Sequence, residues 1–132
     1  MPFQGAHIAL TVCYLSVSGP WYERVFGGEK VFDQREGGNG LQLYSLPNGL
    51  LLGLRMHEGT MSGERFTHER VGLDHFGLHC ADRTELEEWT EKLDGLSVSH
   101  SGIVESPLGH HVSFRDPDNI ALEIFAPAPA TD

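Results

Sequence analysis

The chain has 132 residues, of which 39% are hydrophobic and 21% are charged, so it is long enough to bury a core without cross-links. Nine Lys and Arg residues stand against nineteen Asp and Glu residues, and the net charge of -10 argues against nucleic acid as a partner because the phosphates would be repelled. The sequence shows no basic leader with an apolar core and no run near the ~20 apolar residues of a membrane span, so we expect a cytoplasmic protein that does not enter a membrane.

The first half of the chain predicts a βαβββ unit. Residues 6–13 alternate between apolar and other side chains, which is typical of a strand. A helix is predicted over 19–26, with Ser18 as its N-cap and Gly27 at its end. Apolar runs between Gly, Pro and Asn turns then predict strands over 29–33, 41–45 and 49–56.

The second half predicts the same order of elements. Residues 58–71 contain glycines and several charges, and they are interpreted as a connection. A strand is predicted over 72–80, and the spacing of Asp82 and Glu85 is that of a capping box, which begins a helix that ends at Gly95. Further strands are predicted over 97–104, 111–115 and 119–125.

The two halves also resemble each other residue by residue. The strand that begins at His7 aligns with the strand that begins at His75, and both lead into a helix. The turn and apolar strand that end each half align as well, which places Gly53 opposite Glu123. Self-similarity of this kind indicates repeated supersecondary units. We expect one domain, residues 1–132, made of two repeated modules and a connection, at about 5–57, 72–126 and 58–71.

Strand parity predicts a polar face on the sheet. Because side chains alternate with period two, Glu123 lies on the opposite face from Leu122 and Ile124. A carboxylate in such a strand is costly unless it meets a cation or hydrogen-bond donors. The same count predicts a polar inner face that gathers His7, His75, His79, His111 and Glu123. This face is interpreted as a binding cup that could hold a metal ion.

The order of these features resembles the vicinal oxygen chelate superfamily, which includes glyoxalase I, extradiol dioxygenases and bleomycin-binding resistance proteins. The shared features are paired βαβββ units, a His that opens each unit, the sequence Phe-Arg-Asp-Pro-Asp-Asn at 114–119, and a Leu-Glu-Ile strand after it. The resemblance implies an α+β fold in which paired βαβββ modules form an eight-stranded, cup-shaped mixed sheet with helices on the outer face. It also implies a homodimer and a small-molecule substrate or ligand.

The resemblance further implies a divalent metal ion held by His7, His75 and Glu123. Glyoxalase I and the related epimerase add a Glu or Gln on the last strand of the first unit, where this chain has Gly53. Two His and one carboxylate with open positions are the set expected for Fe²⁺ in oxygen chemistry, and Mn²⁺ also accepts them. The candidate catalytic residues beside the metal are His79, His111 and Arg115.

Two classes of function stay open. The leading hypothesis is a metal-dependent enzyme, dioxygenase-like, that acts on a small catechol-like or vicinal-oxygen compound; a lyase or isomerase of the glyoxalase or epimerase type is a variant of it. The alternative is a metal-free protein that sequesters a drug or an aromatic metabolite, as bleomycin-binding relatives do. The missing fourth ligand favours this alternative, as does the negative charge, which suits a cationic guest.

Overall fold

Each half of the chain folds as a βαβββ unit in the computed structural model, which describes residues 1–60 and 63–129. The two units comprise Met1–Glu64 and Arg65–Asp132. The first contains β1 (His7–Thr11), α1 (Leu15–Phe26), β2 (Glu29–Glu36), β3 (Asn39–Ser45) and β4 (Leu51–Met56). The second contains β5 (Phe76–His79), α2 (Arg83–Gly95), β6 (Val104–Ser106), β7 (Gly109–Arg115) and β8 (Ala121–Pro127). The predicted α+β class with paired βαβββ units is confirmed.

The two units share one strand order. The first sheet has the order β1-β4-β3-β2 and the second has the order β5-β8-β7-β6, and in each the opening strand runs parallel to the last strand of its unit. Ala9 pairs with Gly53 in the first sheet, and Gly77 pairs with Glu123 in the second. The opening histidine of each unit lies two residues before the first member of that pair. The register therefore agrees with the alignment that set Gly53 against Glu123.

Each helix packs against its own sheet. Helix α1 contacts β3 and β4, and helix α2 contacts β7 and β8. In β8 the side chains of Leu122, Ile124 and Ala126 are buried, whereas those of Ala121, Glu123 and Phe125 are only half-buried. This alternation confirms that Glu123 and its apolar neighbours point to opposite faces. Within the described part of the chain, neither helix combines the length and the apolar character needed to cross a membrane.

Helix α1 begins four residues earlier than predicted. Its first residue is Leu15, and the predicted cap Ser18 is instead buried inside the helix. Leu15 packs so closely on β3 that a Cβ at Gly40 would lie 2.7 Å from its Cδ1. This burial extends the helix on the N-terminal side of Pro20, although an interior proline disfavours a helix by about 3 kcal/mol. The helix ends at Gly27, in the left-handed region with φ of 68°, as predicted.

The strand predicted over 97–104 is largely wrong, because β6 starts only at Val104. Ser97 has a φ of 58° and Gly102 a φ of 73°, and both values interrupt an extended backbone. Between them, an isolated bridge from His100 to Phe114 and two hydrogen bonds between Ser101 and Ser113 link the segment to β7 without forming a strand. Sequence alternation therefore predicted a strand where two left-handed residues bend the chain.

One buried carboxylate organises the turn between β7 and β8. Asp116 is 5% exposed, and its Oδ1 accepts hydrogen bonds from the N–H groups of Asp118 and Ile120, each 2.8 Å long. Asn119 takes the left-handed conformation with φ of 68°, which Asn tolerates, and its Nδ2 donates to the carbonyl of Phe66 at 3.1 Å. The N–H of Phe66 donates in return to the carbonyl of Asp118 at 2.9 Å. The turn thereby fixes the hairpin and holds the segment that precedes β5.

Replacing Asp116 by Ala is expected to lower the free energy of unfolding by about 2–6 kcal/mol, because two N–H groups would lose their acceptor at about 1–3 kcal/mol each. Asp116→Asn keeps an acceptor oxygen and should cost less than half as much. Denaturant titration at pH 7 measures both values. An alanine variant as stable as the unaltered protein would contradict this role of Asp116.

Candidate metal centre in the second unit

His75 and Glu123 meet on the half-buried face of the second sheet. The parallel pairing of β5 with β8 sets Gly77 opposite Glu123, and His75 lies two residues before Gly77 on the same side of the chain. The Nε2 of His75 is 3.1 Å from Oε2 of Glu123. The Glu123 side chain is 20% exposed and that of His75 is 48% exposed, so the pair faces solvent on one side. The structure thus brings two of the three predicted metal ligands together.

Gly77 leaves the space in which this pair meets. A Cβ at this position would lie 3.3 Å from Oε2 of Glu123 and 4.0 Å from Cδ2 of His75. The first distance is tighter than an ordinary van der Waals contact, so a side chain here would push the carboxylate away. No pattern in the sequence identifies this role, because a glycine in a strand indicates only that some group approaches the backbone closely.

Asp74 orients the ring of His75. Its Oδ1 accepts a hydrogen bond from Nδ1 of His75 at 2.7 Å, so Nε2 is the nitrogen that faces Glu123. This hydrogen bond raises the pKa of His75 above its ordinary value; the negative charge of Glu123 adds to the effect, and burial opposes it. The same bond lowers the pKa of Asp74, and the positive charges of His68 and Arg115 lower it further. A carboxylate on the outer nitrogen is the usual partner of a metal-binding histidine.

A cavity of about 280 Å³ lies beside the pair. Strands β7 and β8, together with the chain just before β5, form its walls. Its polar lining residues are His68, Asp74, His75, Ser113, Arg115 and Glu123. Ser113 pairs with Glu123 across the two strands, so both belong to one row of the sheet. His68 also belongs to the wall, because the turn holds the nearby residue Phe66 by a hydrogen bond from Asn119. No sequence motif reveals this long-range contact.

The two other histidines predicted on this face lie further along the strands. The Nδ1 of His111 is 3.6 Å from Oε1 of Glu123, which permits electrostatic attraction but is too long for a hydrogen bond. His79 pairs with Phe125, and His111 pairs with the same residue from the other side. The three side chains therefore share the next row of the sheet beyond Glu123. Among the described residues, the cavity wall includes neither histidine.

Arg115 lines the cavity and also braces the turn. Its Nη1 donates a hydrogen bond to the carbonyl of Asn119 at 3.2 Å. Within the described residues it forms no ion pair with a carboxylate closer than 4.0 Å. Its positive charge is nevertheless felt in the cavity, because it lowers the pKa of Asp74.

Two of the sequence predictions concern the first unit. His7 was predicted as the third metal ligand, and Gly53 was predicted to leave the position of a fourth ligand empty. His7 is exposed at the start of β1, opposite Leu51 of β4. A Cβ at Gly53 would lie 3.3 Å from both the Cβ of Ala9 and Cδ2 of Leu43. In residues 1–60 and 63–129 no three His, Cys, Asp or Glu side chains form a ready-made metal-holding group. The preformed part of the site is therefore the pair in the second unit.

The pKa of His75 is expected to fall in both Asp74→Asn and Glu123→Gln, and to fall further in the first, because Asp74 contributes the strongest stabilisation of the protonated ring. NMR titration of the imidazole C–H signals in chelator-treated protein measures these values. Asp94→Asn is the matched control, since Asp94 pairs with His100 instead. A His75 pKa that does not change in Asp74→Asn would contradict the assigned contact.

Comparisons with known proteins agree with the fold. A family model described as the Glyoxalase/Bleomycin resistance protein/Dioxygenase superfamily matches residues 5–124. The chain is similar to a glyoxylase/bleomycin resistance protein/dioxygenase domain from Frankia sp. EAN1pec, at 30% identity over 99% of this chain and 96% of that one, with a TM-score of 0.89.

Two further solved structures share the fold at lower identity. The fosfomycin resistance protein FosX from Listeria monocytogenes is 20% identical over 97% of this chain and 96% of that one, with a TM-score of 0.74. Lactoylglutathione lyase from Agrobacterium tumefaciens is 23% identical over 95% and 94%, with a TM-score of 0.73. No protein with a curated description matches. The chain therefore belongs to the glyoxalase/bleomycin resistance protein/dioxygenase superfamily.

Proposed function

We propose that the protein is a metal-dependent enzyme of the vicinal oxygen chelate type, dioxygenase-like in reaction, that acts on a small catechol-like or other vicinal-oxygen compound. The observation that supports this most is the contact between His75 Nε2 and Glu123 Oε2 at 3.1 Å, with Asp74 on the outer nitrogen of the same ring. His7 of the first unit is proposed as the third ligand. FosX, which shares this fold, has been crystallised with Mn(II), which supports a divalent ion, with Fe²⁺ or Mn²⁺ proposed here.

The donor set fits such an ion. An imidazole nitrogen and a carboxylate oxygen face each other, and Gly77 leaves room between their strands. Two His and one carboxylate leave coordination positions open, as non-haem iron sites do. Gly53, in place of a fourth ligand, agrees with this open set. When bound, the divalent ion supplies Lewis-acid stabilisation of substrate oxygens that carry negative charge.

The protein's own residues are proposed to orient the ligands and to move protons. Asp74 holds the Nδ1 proton of His75. Nε2 is then the nitrogen that can donate an electron pair to a metal ion once it has lost its own proton. His111 lies 3.6 Å from the far oxygen of Glu123 and is proposed to accept a substrate proton beside the metal. His79, across Phe125 from His111, is proposed as a second proton-transfer group.

Arg115 is proposed to position the substrate. It lies in the cavity wall, and the hydrogen bond to the Asn119 carbonyl limits the motion of its side chain. A held guanidinium orients a bound molecule without taking part in the proton transfers, because it does not lose its own proton. Arg115 would therefore affect substrate affinity more than the rate of the chemical step.

A metal-free binding protein is the second candidate. One observation favours it: among residues 1–60 and 63–129, no three His, Cys, Asp or Glu side chains lie close enough together to hold an ion. Such a protein would sequester a drug or an aromatic metabolite without changing it. A lyase or isomerase of the glyoxalase or epimerase type has less support, because Gly53 cannot supply the fourth ligand of those enzymes.

Tag-free protein purified anaerobically is expected to contain stoichiometric iron or manganese. The variants His7→Ala, His75→Ala and Glu123→Ala should each contain at least tenfold less, because each would lose one donor. His110→Ala is the control, since His110 lies on the other side of β7, with its Nε2 3.5 Å from Oε1 of Glu105. Mass spectrometry of the metals measures all five proteins.

Equal metal content in all five proteins would contradict the proposed ligands. Folded protein that contains no metal and cannot be reloaded with Fe²⁺ or Mn²⁺ would contradict the enzyme hypothesis and favour the binding protein.

A further inference from the structure

The cavity beside His75 and Glu123 contains a permanent cation. The protein carries a net charge of -10, and Arg115 lines this cavity together with His68 and His75. Its two carboxylates, Asp74 and Glu123, both contact His75. Glu123 also lies 3.6 Å from Nδ1 of His111, so both acids face imidazole rings. Arg115 stands in the wall as a permanent cation with no carboxylate partner among the described residues.

Arg115 is held firmly but keeps most of its donors. A guanidinium has five N–H groups, and within residues 1–60 and 63–129 that of Arg115 makes one hydrogen bond, to the carbonyl of Asn119 at 3.2 Å. Asn119 itself is fixed by its bond to Phe66 and by the turn around Asp116. The remaining N–H groups form a planar fork, which is the geometry that matches the paired oxygens of a carboxylate or a phosphate-like group.

Two further donors stand beside this fork. Ser113 lies two residues before Arg115 on the same face of β7, and its hydroxyl makes no hydrogen bond within the described part of the chain. His68 faces the cavity from the segment before β5. Ser113 pairs with Glu123 and Arg115 pairs with Ala121, two residues away. Along a strand that step is about 7 Å between backbone positions, so Arg115 and the proposed metal ligand belong to neighbouring rows of the same cavity wall.

We propose that this cavity binds the oxyanion group of a small acidic substrate, a carboxylate or a phosphate-like group, through Arg115 with Ser113 and His68 as additional donors. The inference deepens the proposed function and rests on it in one respect: the neighbouring oxygens of the same substrate would lie at His75 and Glu123. The substrate class is then an organic acid with oxygen substituents a few bonds from its charged group.

Matched pairs of charged and neutral probes test the subsite in chelator-treated protein. Methylphosphonate is compared with dimethyl sulfone, and propionate with propionamide, at constant ionic strength, by NMR titration of the backbone amides. At least one anion is expected to shift the amides of Ser113 and Arg115 in a saturable way, whereas the neutral probes leave them unchanged. The anion that binds shows which oxyanion the subsite takes. Equal shifts from a neutral partner, or no saturable shift from either anion, would overturn the inference.

Variants identify the residue responsible. Arg115→Gln is expected to weaken anion binding at least tenfold, and Arg115→Lys to weaken it less, because lysine keeps the charge but lacks the fork. Arg83→Gln is the matched control, since this exposed arginine of α2 pairs with Glu87 and Glu105 away from the cavity wall. Should Arg115→Gln not fold, Ser113→Ala provides the second test, with an expected loss of about two- to fivefold for one neutral donor. Unchanged affinity in the folded variants would overturn the assignment.

The metal measurement separates this inference from the proposed function. Arg115→Gln is expected to keep the metal content of the unaltered protein, because arginine cannot donate an electron pair to a metal. Stoichiometric metal without oxyanion binding would overturn the subsite alone. Oxyanion binding by a protein that takes up no metal would overturn the proposed enzyme and leave the subsite supported.

Discussion

The site in the second unit depends on the hydrogen bonds that the carboxylate of Asp116 accepts. The hydrogen bonds that its Oδ1 accepts from Asp118 and Ile120 fix the turn between β7 and β8, and the register of that hairpin aligns Ser113 with Glu123. The same turn presents Asn119, which holds Phe66 and with it the segment that carries one wall of the cavity. One buried acid thus positions both strands and the loop that faces them. Hydrogen bonds to a charged acceptor are strong enough for such a task, at about 1.5–3 kcal/mol each.

The two units use one scaffold for different surfaces. In the second unit the row across three strands reads Gly77, Glu123 and Ser113, and it carries the polar groups of the site. The equivalent row of the first unit reads Ala9, Gly53 and Leu43, and it is apolar. Strand order and register are the same for these three strands in both units, so within these rows the difference lies in the side chains. Function here follows the residues placed on the fold rather than the fold itself.

Strand parity was enough to predict which side chains share a face. Alternation placed Glu123 opposite its buried neighbours, and the structure confirms it because a helix covers only one side of each sheet. Local chemistry also predicted the start of α2, where the Asp82 side chain accepts from the N–H of Glu85 at 3.0 Å. Such features depend on residues near one another in the chain. The predicted start of helix α1 was wrong because the burial of Leu15 on a distant strand outweighed the signal of Pro20.

The partners of the predicted ligands could not be read from the sequence. Asp74 is adjacent to His75, but neighbouring side chains meet only when the backbone outside a strand bends suitably, as it does here. His68 depends on hydrogen bonds between residues more than fifty positions apart. Whether His7 joins the pair in the second unit stays a prediction from the resemblance. The alternation of side chains thus predicts the face of the sheet on which a site lies. The residues that line its cavity depend on long-range contacts, which the sequence does not show.

The close packing around Gly53 also bears on how this protein could evolve. Changing this residue to Glu or Gln would add the ligand that four-ligand relatives have, but its Cβ would lie 3.3 Å from both Ala9 and Leu43. The first substitution alone would strain the sheet of the first unit, since a well-packed interior tolerates added atoms poorly. A smaller residue at Leu43 would relieve one of these two contacts. A longer side chain at position 53 is therefore accommodated more easily after a change at Leu43 than before it, so the order of the two mutations matters.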